Sequence, residues 1–237
     1  ETAFLPMYQL SYFPNNQNVN GVQAYDKEVD ALNQHTKADK VYIVCSKEQL
    51  DENGSMKIFS MIDKLSAELS VASDNETRKR LLMRRAIAHS VLRDFEAAIS
   101  DFTYYISLDD KNSLAYWQRA VCQAEMDEFN KAEGKGVLNI HSAEADFSDA
   151  IRQNSNNAYI YYNRGNLHAG RNELSKAIDD YTIALRIDNR LAEAYYNRGI
   201  ARAKSGNKQT AIQDLSKAGE LGLYDAYSVI KRLNKSK

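Results

Sequence analysis

Proline is nearly missing from this chain of 237 residues: there are 2, Pro6 and Pro14, and none follows. Glycine is scarce as well, at 10 residues, where ordinary usage is about 7% glycine and 5% proline. An all-β chain needs such residues at every hairpin, so that class is excluded and a mostly helical fold is indicated. Cysteine is limited to Cys45 and Cys122. Two thiols build no disulfide framework, and they leave the redox compartment open. No apolar run approaches the ~20 residues that span a bilayer, so membrane insertion is not expected. Net charge is close to zero, with 31 basic and 32 acidic residues. Neither part of the chain has the basic excess of a nucleic-acid binder. The final Lys231, Arg232, Lys235 and Lys237 read as a solvated helix end. The first residue is Glu1 and no signal-like stretch follows, which reads as a processed or shortened form.

What is abundant is tyrosine, with 15 residues, in a chain that is 43% hydrophobic and 27% charged. That balance fills a core and keeps the surface polar, so global disorder is excluded. The tyrosines fall in a pattern. Four segments align: Leu82–Ala86, Tyr116–Ala120, Tyr161–Gly165 and Tyr195–Gly199. Each holds an arginine, Arg85, Arg119, Arg164 or Arg198, at spacings of 34, 45 and 34 residues. Downstream of each lies a small residue with a large one four places on: Ala98 and Phe102, Ala143 and Phe147, Ala177 and Tyr181, Ala211 and Leu215. An acid recurs there too, as Asp101, Asp146, Asp180 and Asp214. Steps of three and four residues are helix period. Each unit is therefore two helices joined by a turn, as at Gly170–Asn172 and Ser205–Asn207. One such pair cannot bury its apolar faces alone, so the units must stack.

This pattern resembles the tetratricopeptide repeat, a 34-residue helix–turn–helix unit. Residues 158–191 match best, with Tyr161, Gly165, Ala177, Tyr181 and Ala184 on the family's large, small, small, aromatic and small positions. Asn189 stands where the family closes with proline. Residues 192–225 follow, with Leu215 for the aromatic. Residues 79–112 match less closely, with bulky Tyr105 at a usually small position. Residues 113–157 match at both ends and carry 11 extra residues. The last units also resemble the C-terminal part of long bacterial proteins of this family. The resemblance implies an all-α chain for the most part, an α-solenoid winding as a right-handed superhelix.

The flanks are read separately. Residues 1–53 form a small N-terminal α/β-like element, with β-rich runs at Phe4–Phe13 and Val41–Cys45 and a helix within 22–34. Residues 54–78 hold a lead-in helix and linker, with Ile58, Ile62, Leu65 and Leu69 on one stripe. The extra segment of the second unit, near Asp127–Ser142, reads as an exposed loop, or else a partner contact. Residues 223–237 are a capping helix and tail, with Leu223, Tyr227, Ile230 and Leu233 covering the last repeat.

A search for reaction chemistry finds none. His35, His89, His141 and His168 include no pair at the spacing of a helical zinc site, and no cysteine joins them. There is no nucleophile elbow and no nucleotide loop; Gly134-Lys-Gly136 lacks the phosphate-loop pattern. No catalytic residue, metal or cofactor is expected, and the chain reads as a non-enzyme. The one-per-unit Arg85, Arg119, Arg164 and Arg198 with Asp101, Asp146, Asp180 and Asp214 suggest a structural ladder that fixes register, with ligand contact as the alternative.

Family geometry implies that the first helix of each unit lines a concave face. Carried over by repeat position, that face holds Arg80 and Arg84, then Trp117 and Gln118, then Tyr159, Tyr162, Asn163 and Asn166, then Tyr196 and Asn197. Carboxamides both donate to and accept from a peptide backbone, and Trp and Tyr give rigid contact area. The implied function is a protein–protein interaction module binding a peptide or partner protein there. The alternatives are that these aromatics only pack, that a flanking segment fills the groove, or that the chain is a structural spacer of a longer protein with no ligand of its own.

Overall fold

The computed structural model describes residues 3–12, 27–34, 40–45, 47, 49–135 and 140–235. The chain divides into two compact units, Gln9–Ser155 and Glu1–Tyr8 with Asn156–Lys237. Among the described residues there are eleven helices and one two-stranded sheet.

In the first of these units, β1 (Gln9–Ser11) pairs antiparallel with β2 (Tyr42–Val44), Leu10 opposite Ile43. The extended run expected over Phe4–Phe13 is thus a strand over three residues only. Helix α1 is Lys27–Asn33; residues 22–26 of the expected helix lie outside the described residues. Helix α2 (Glu52–Val71) buries Ile58 and Leu65. Two helix pairs follow: α3 (Asn75–Val91) with α4 (Phe95–Leu108), and α5 (Ser113–Ala132) with α6 (Ile140–Gln153). The starts are capped in the usual way, since Asp74, Asp94 and Asn112 accept from the main-chain N–H three residues on.

Of the segment read as an exposed loop, residues 127–132 are helical and 136–139 lie outside the described residues. Helix α5 runs on to Ala132, and only then does Gly134 turn the chain at φ 69°. Lys47 bridges Glu125 (3.3 Å), where the other first helices end, and Glu128 (2.6 Å) on the extra turn beyond it.

The second unit has the pairs α7 (Ala158–Gly170) with α8 (Leu174–Ile187) and α9 (Ala192–Lys204) with α10 (Lys208–Glu220), then α11 (Asp225–Lys235). Glycine sets the approach within a pair. A Cβ on Gly165 would stand 2.7 Å from the Tyr181 ring, and one on Gly199 would stand 2.9 Å from Leu215 Cγ. The turn between paired helices uses a left-handed residue at one repeat position, Arg93 (φ 62°), Asn172 (60°) or Gly206 (84°). Helix α11 covers the end of α10, but its buried residues are Ala226 and Val229 rather than Tyr227. Tyr227 lies across Gly219 and stays about half exposed. Leu223, Ile230 and Leu233 pack at the rim of that cluster.

Candidate functional site

The arginines and aspartates that recur once per unit meet side by side. In each pair the guanidinium grips both carboxylate oxygens: Arg85 and Asp101 at 2.7 and 2.7 Å, Arg119 and Asp146 at 2.6 and 2.7 Å. Arg164 and Asp180 meet at 2.9 and 2.7 Å, as do Arg198 and Asp214. The acids are buried while the arginines keep partial exposure. The spare Nη1 of Arg119 reaches Thr103, and that of Arg198 reaches Thr182, on the preceding helix. Arg85 makes the same bond to Ser66 of α2. Each of Arg119, Arg164 and Arg198 also lies over the tyrosine three residues before it. Bonding to Asp101 holds the Arg85 proton more firmly than usual, while burial pushes the Asp146 carboxyl up against the pull of Arg119.

His89 and His168 sit at one repeat position and use Nδ1 toward an acid five residues on, Asp94 (3.0 Å) and Glu173 (2.8 Å). They tie the end of a first helix to the start of its partner. His35 lies outside the described residues. Burial pushes the Cys122 thiol up to about 12. Among the described residues no cluster of His, Cys, Asp and Glu fits a metal ion, and no helix is long and apolar enough to cross a membrane.

Polar side chains of α7 and α9 meet the main chain of Leu5, Pro6 and Tyr8. Asn197 Oδ1 accepts from the Leu5 N–H at 2.8 Å, and its Nδ2 donates back to the Leu5 carbonyl at 3.1 Å. Asn166 Nδ2 donates to the same carbonyl at 2.9 Å. The Tyr162 hydroxyl donates to the Pro6 carbonyl at 3.0 Å. Asn163 then takes both main-chain groups of Tyr8, at 2.8 and 2.7 Å. The carboxamides are held in turn: Tyr181 donates to Asn166 Oδ1 at 2.7 Å, and Asn197 Nδ2 reaches both that oxygen and the Tyr162 hydroxyl at 2.9 Å. Burial pushes the Tyr181 and Tyr196 hydroxyls up, Tyr181 well above its ordinary value.

Side chains complete the seat. The Tyr8 ring packs edge-on against Tyr159 (4.6 Å between centroids) and Tyr162 (5.1 Å). Phe4 and Leu5 pack on the cluster of Tyr196, Ile200, Leu215, Ala218, Ala226 and Val229. Lys204 Nζ lies 4.8 Å from the Phe4 ring centre.

The other unit repeats the arrangement with different groups. Gln118, at the repeat position of Asn163 and Asn197, accepts from the Leu10 N–H at 2.9 Å. Arg84, at the same position, offers its carbonyl to the Tyr12 hydroxyl (2.7 Å) and donates through Nη2 to the Leu32 carbonyl (2.8 Å). Trp117 is fully buried. Arg80 lines a cavity of about 580 Å³ with Lys64, Glu68 and Met83. The sequence leaves open whether these aromatics and amides take a peptide, only pack, or are covered by a flanking segment; here the amides meet the main chain of Leu5, Tyr8 and Leu10. Composition marks that segment only as extended.

Residues 169–206 match a family model described as TPR repeat. No curated protein sequence matches the chain. Among solved structures, the fold is similar to a crystal structure of MamA, at 20% identity and a TM-score of 0.61, over 76% of this chain and 99% of that one. It is similar to YrrB, described as a TPR protein with an unusual peptide-binding site, at 16% identity and a TM-score of 0.58, over 76% and 86% of the two chains. It is similar also to TTC0263, a thermophilic TPR protein of Thermus thermophilus, at 15% identity and a TM-score of 0.56, over 76% and 95%.

Proposed function

From the premise that this chain carries the tetratricopeptide-repeat fold, we propose that it is a non-catalytic protein-interaction module whose inner face reads the main chain of an extended peptide. The observation that carries this reading is the bonding of Leu5 and Tyr8. One carboxamide per repeat, Asn197 or Asn163, holds both the N–H and the C=O of one residue of an extended segment. Such bonding is indifferent to side chains, so it suits a peptide from any partner, and the surrounding tyrosines supply contact area. YrrB, of similar fold, is described as having a peptide-binding site.

The competing reading is a spacer with no ligand of its own, and the full burial of Tyr8 favours it. A peptide-display selection separates the two. The target is the whole chain carrying Leu5→Asp, which unseats the segment from Asn197. Expected are extended sequences that bind this protein and are lost when Asn166→Ala and Asn197→Ala are added. No enrichment, or equal binding to both proteins, overturns the reading in favour of the spacer.

A further inference from the structure

We infer that residues 3–7 are a built-in, displaceable occupant of this groove, and that the partner which displaces them presents an extended aromatic–aliphatic–proline segment. The inference rests on the peptide-reading function proposed above and names both its ligand class and its regulation.

The segment is held in two different ways along its length. Tyr8 is buried, and the following Gln9–Ser11 form ladder bonds to β2. Phe4, Leu5, Pro6 and Met7 are only half-buried, and among the described residues no strand pairs with them. The Leu5 and Pro6 main chain is gripped by side chains of Asn166, Asn197 and Tyr162. Those groups do not depend on the segment for their orientation. Tyr181, Asn166, Asn197 and Tyr162 bond to one another in series, so the donors and the acceptor stay aimed when residues 3–7 leave. A vacated seat would open Asn197 Oδ1 and Asn166 Nδ2 to water, and a second extended segment can take the same two bonds.

The occupant is also a template for its competitor. At the Pro6 position Tyr162 takes the carbonyl, and proline brings no N–H that would need a partner of its own. Proline also restricts the residue before it to extended backbone, which lets Leu5 offer both of its main-chain groups to Asn197. Before the proline the seat takes an aliphatic side chain and then an aromatic one. Leu5 and Phe4 lie on the Tyr196–Leu215–Val229 cluster, and the Lys204 ammonium meets the face of the aromatic ring. An aspartate in place of the aliphatic residue would be desolvated against that cluster and rejected.

The experiment titrates a fluorescent synthetic peptide with the sequence of residues 3–7 against the whole chain and against its Leu5→Asp variant, with circular dichroism as the folding control. If the tethered segment is seated nine-tenths of the time, apparent affinity in the unaltered chain falls about tenfold. Expected is therefore at least tenfold tighter binding by Leu5→Asp, repeated by the milder Phe4→Ser. Adding Tyr162→Phe, which removes one hydroxyl, should weaken that binding by about 2–10-fold. A peptide with aspartate at its leucine should not bind. Equal or tighter binding by the unaltered chain, with the Tyr162→Phe loss retained, overturns the occupant and leaves the peptide-reading groove standing. Binding by neither protein overturns both. Binding indifferent to leucine in the peptide overturns the ligand class.

Discussion

Asn163 holds Tyr8 by both main-chain groups: the Tyr8 N–H donates to Oδ1 at 2.8 Å and Nδ2 donates to the Tyr8 carbonyl at 2.7 Å. Both residues are buried, so Asn163→Ala strands two peptide groups away from water. Each stranded group costs about 1–3 kcal/mol. A loss of about 2–4 kcal/mol in urea unfolding is expected, with faster hydrogen exchange at the Tyr8 amide. Asn163→Asp keeps the acceptor, sets a carboxylate against the carbonyl, and should lose at least as much. An unchanged unfolding midpoint for Asn163→Ala would contradict this bonding.

The Arg164–Asp180 pair gives the second prediction. Asp180 is 4% exposed and takes two bonds from one guanidinium. His168 Nε2 stands farther from the same carboxylate, at 3.7 Å. Removing the arginine leaves a buried carboxylate short of its counter-charge, so Arg164→Ala should cost about 3 kcal/mol. Arg164→Lys retains the charge and loses the paired geometry, and should cost less. Urea unfolding of the two variants checks the order; equal losses would mean that charge and fork geometry do not matter here.

The helix pairs were legible because their causes recur. A small residue at Gly165 or Gly199 and a large one at Tyr181 or Leu215 meet because helices cross there, and each crossing repeats with the unit. The contents of the groove leave no such trace. Leu5 and Asn197 lie 192 residues apart, Tyr8 and Asn163 155, and one extended segment serves the repeats only once. Composition marked residues 4–13 as strand-like, but it could not say that only Gln9–Ser11 would join a sheet while side-chain amides take the main chain of Leu5, Tyr8 and Leu10. The second unit misled for a local reason. Glycine at 134 and 136 suggested a loop throughout, whereas Lys47, remote in sequence, ties down Glu125 and Glu128 on a continued helix. In α11 it is Ala226 and Val229 that are buried, a preference that an apolar stripe of large residues does not reveal.

Two helical glycines should respond oppositely to alanine. At Gly170 nothing stands within 4 Å of an added Cβ. Gly170→Ala there gains helix propensity, up to about 1 kcal/mol. At Gly165 the new methyl would meet the Tyr181 ring at 2.7 and 2.9 Å. That ring is buried and its hydroxyl is bonded to Asn166. Overpacking of this kind costs about 1–3 kcal/mol. Thermal unfolding should therefore rise for Gly170→Ala and fall for Gly165→Ala. A Tm that moves the same way in both would show that helix propensity, not the approach of α7 to α8, decides at these sites.

Alkaline pH should weaken the fold through Cys122. The thiol is completely buried in α5, and burial pushes it from an ordinary 9.0 to about 12. Above the ordinary value the unfolded chain has released this proton while the folded chain still holds it. Stability therefore falls as pH rises, over the window from 9.0 to about 12. One group contributes a slope of at most about 1.4 kcal/mol per pH unit. Tyr105, pushed from 10.0 to about 12 by burial, adds a second loss that begins later. Cys122→Ala removes only the first. The unaltered chain should hold an advantage at about pH 8 from the filled core and lose it steadily toward about pH 10. Urea unfolding of both proteins at half-unit steps measures that difference. Parallel curves would show that the thiol deprotonates as readily folded as unfolded, and that its site is open to water.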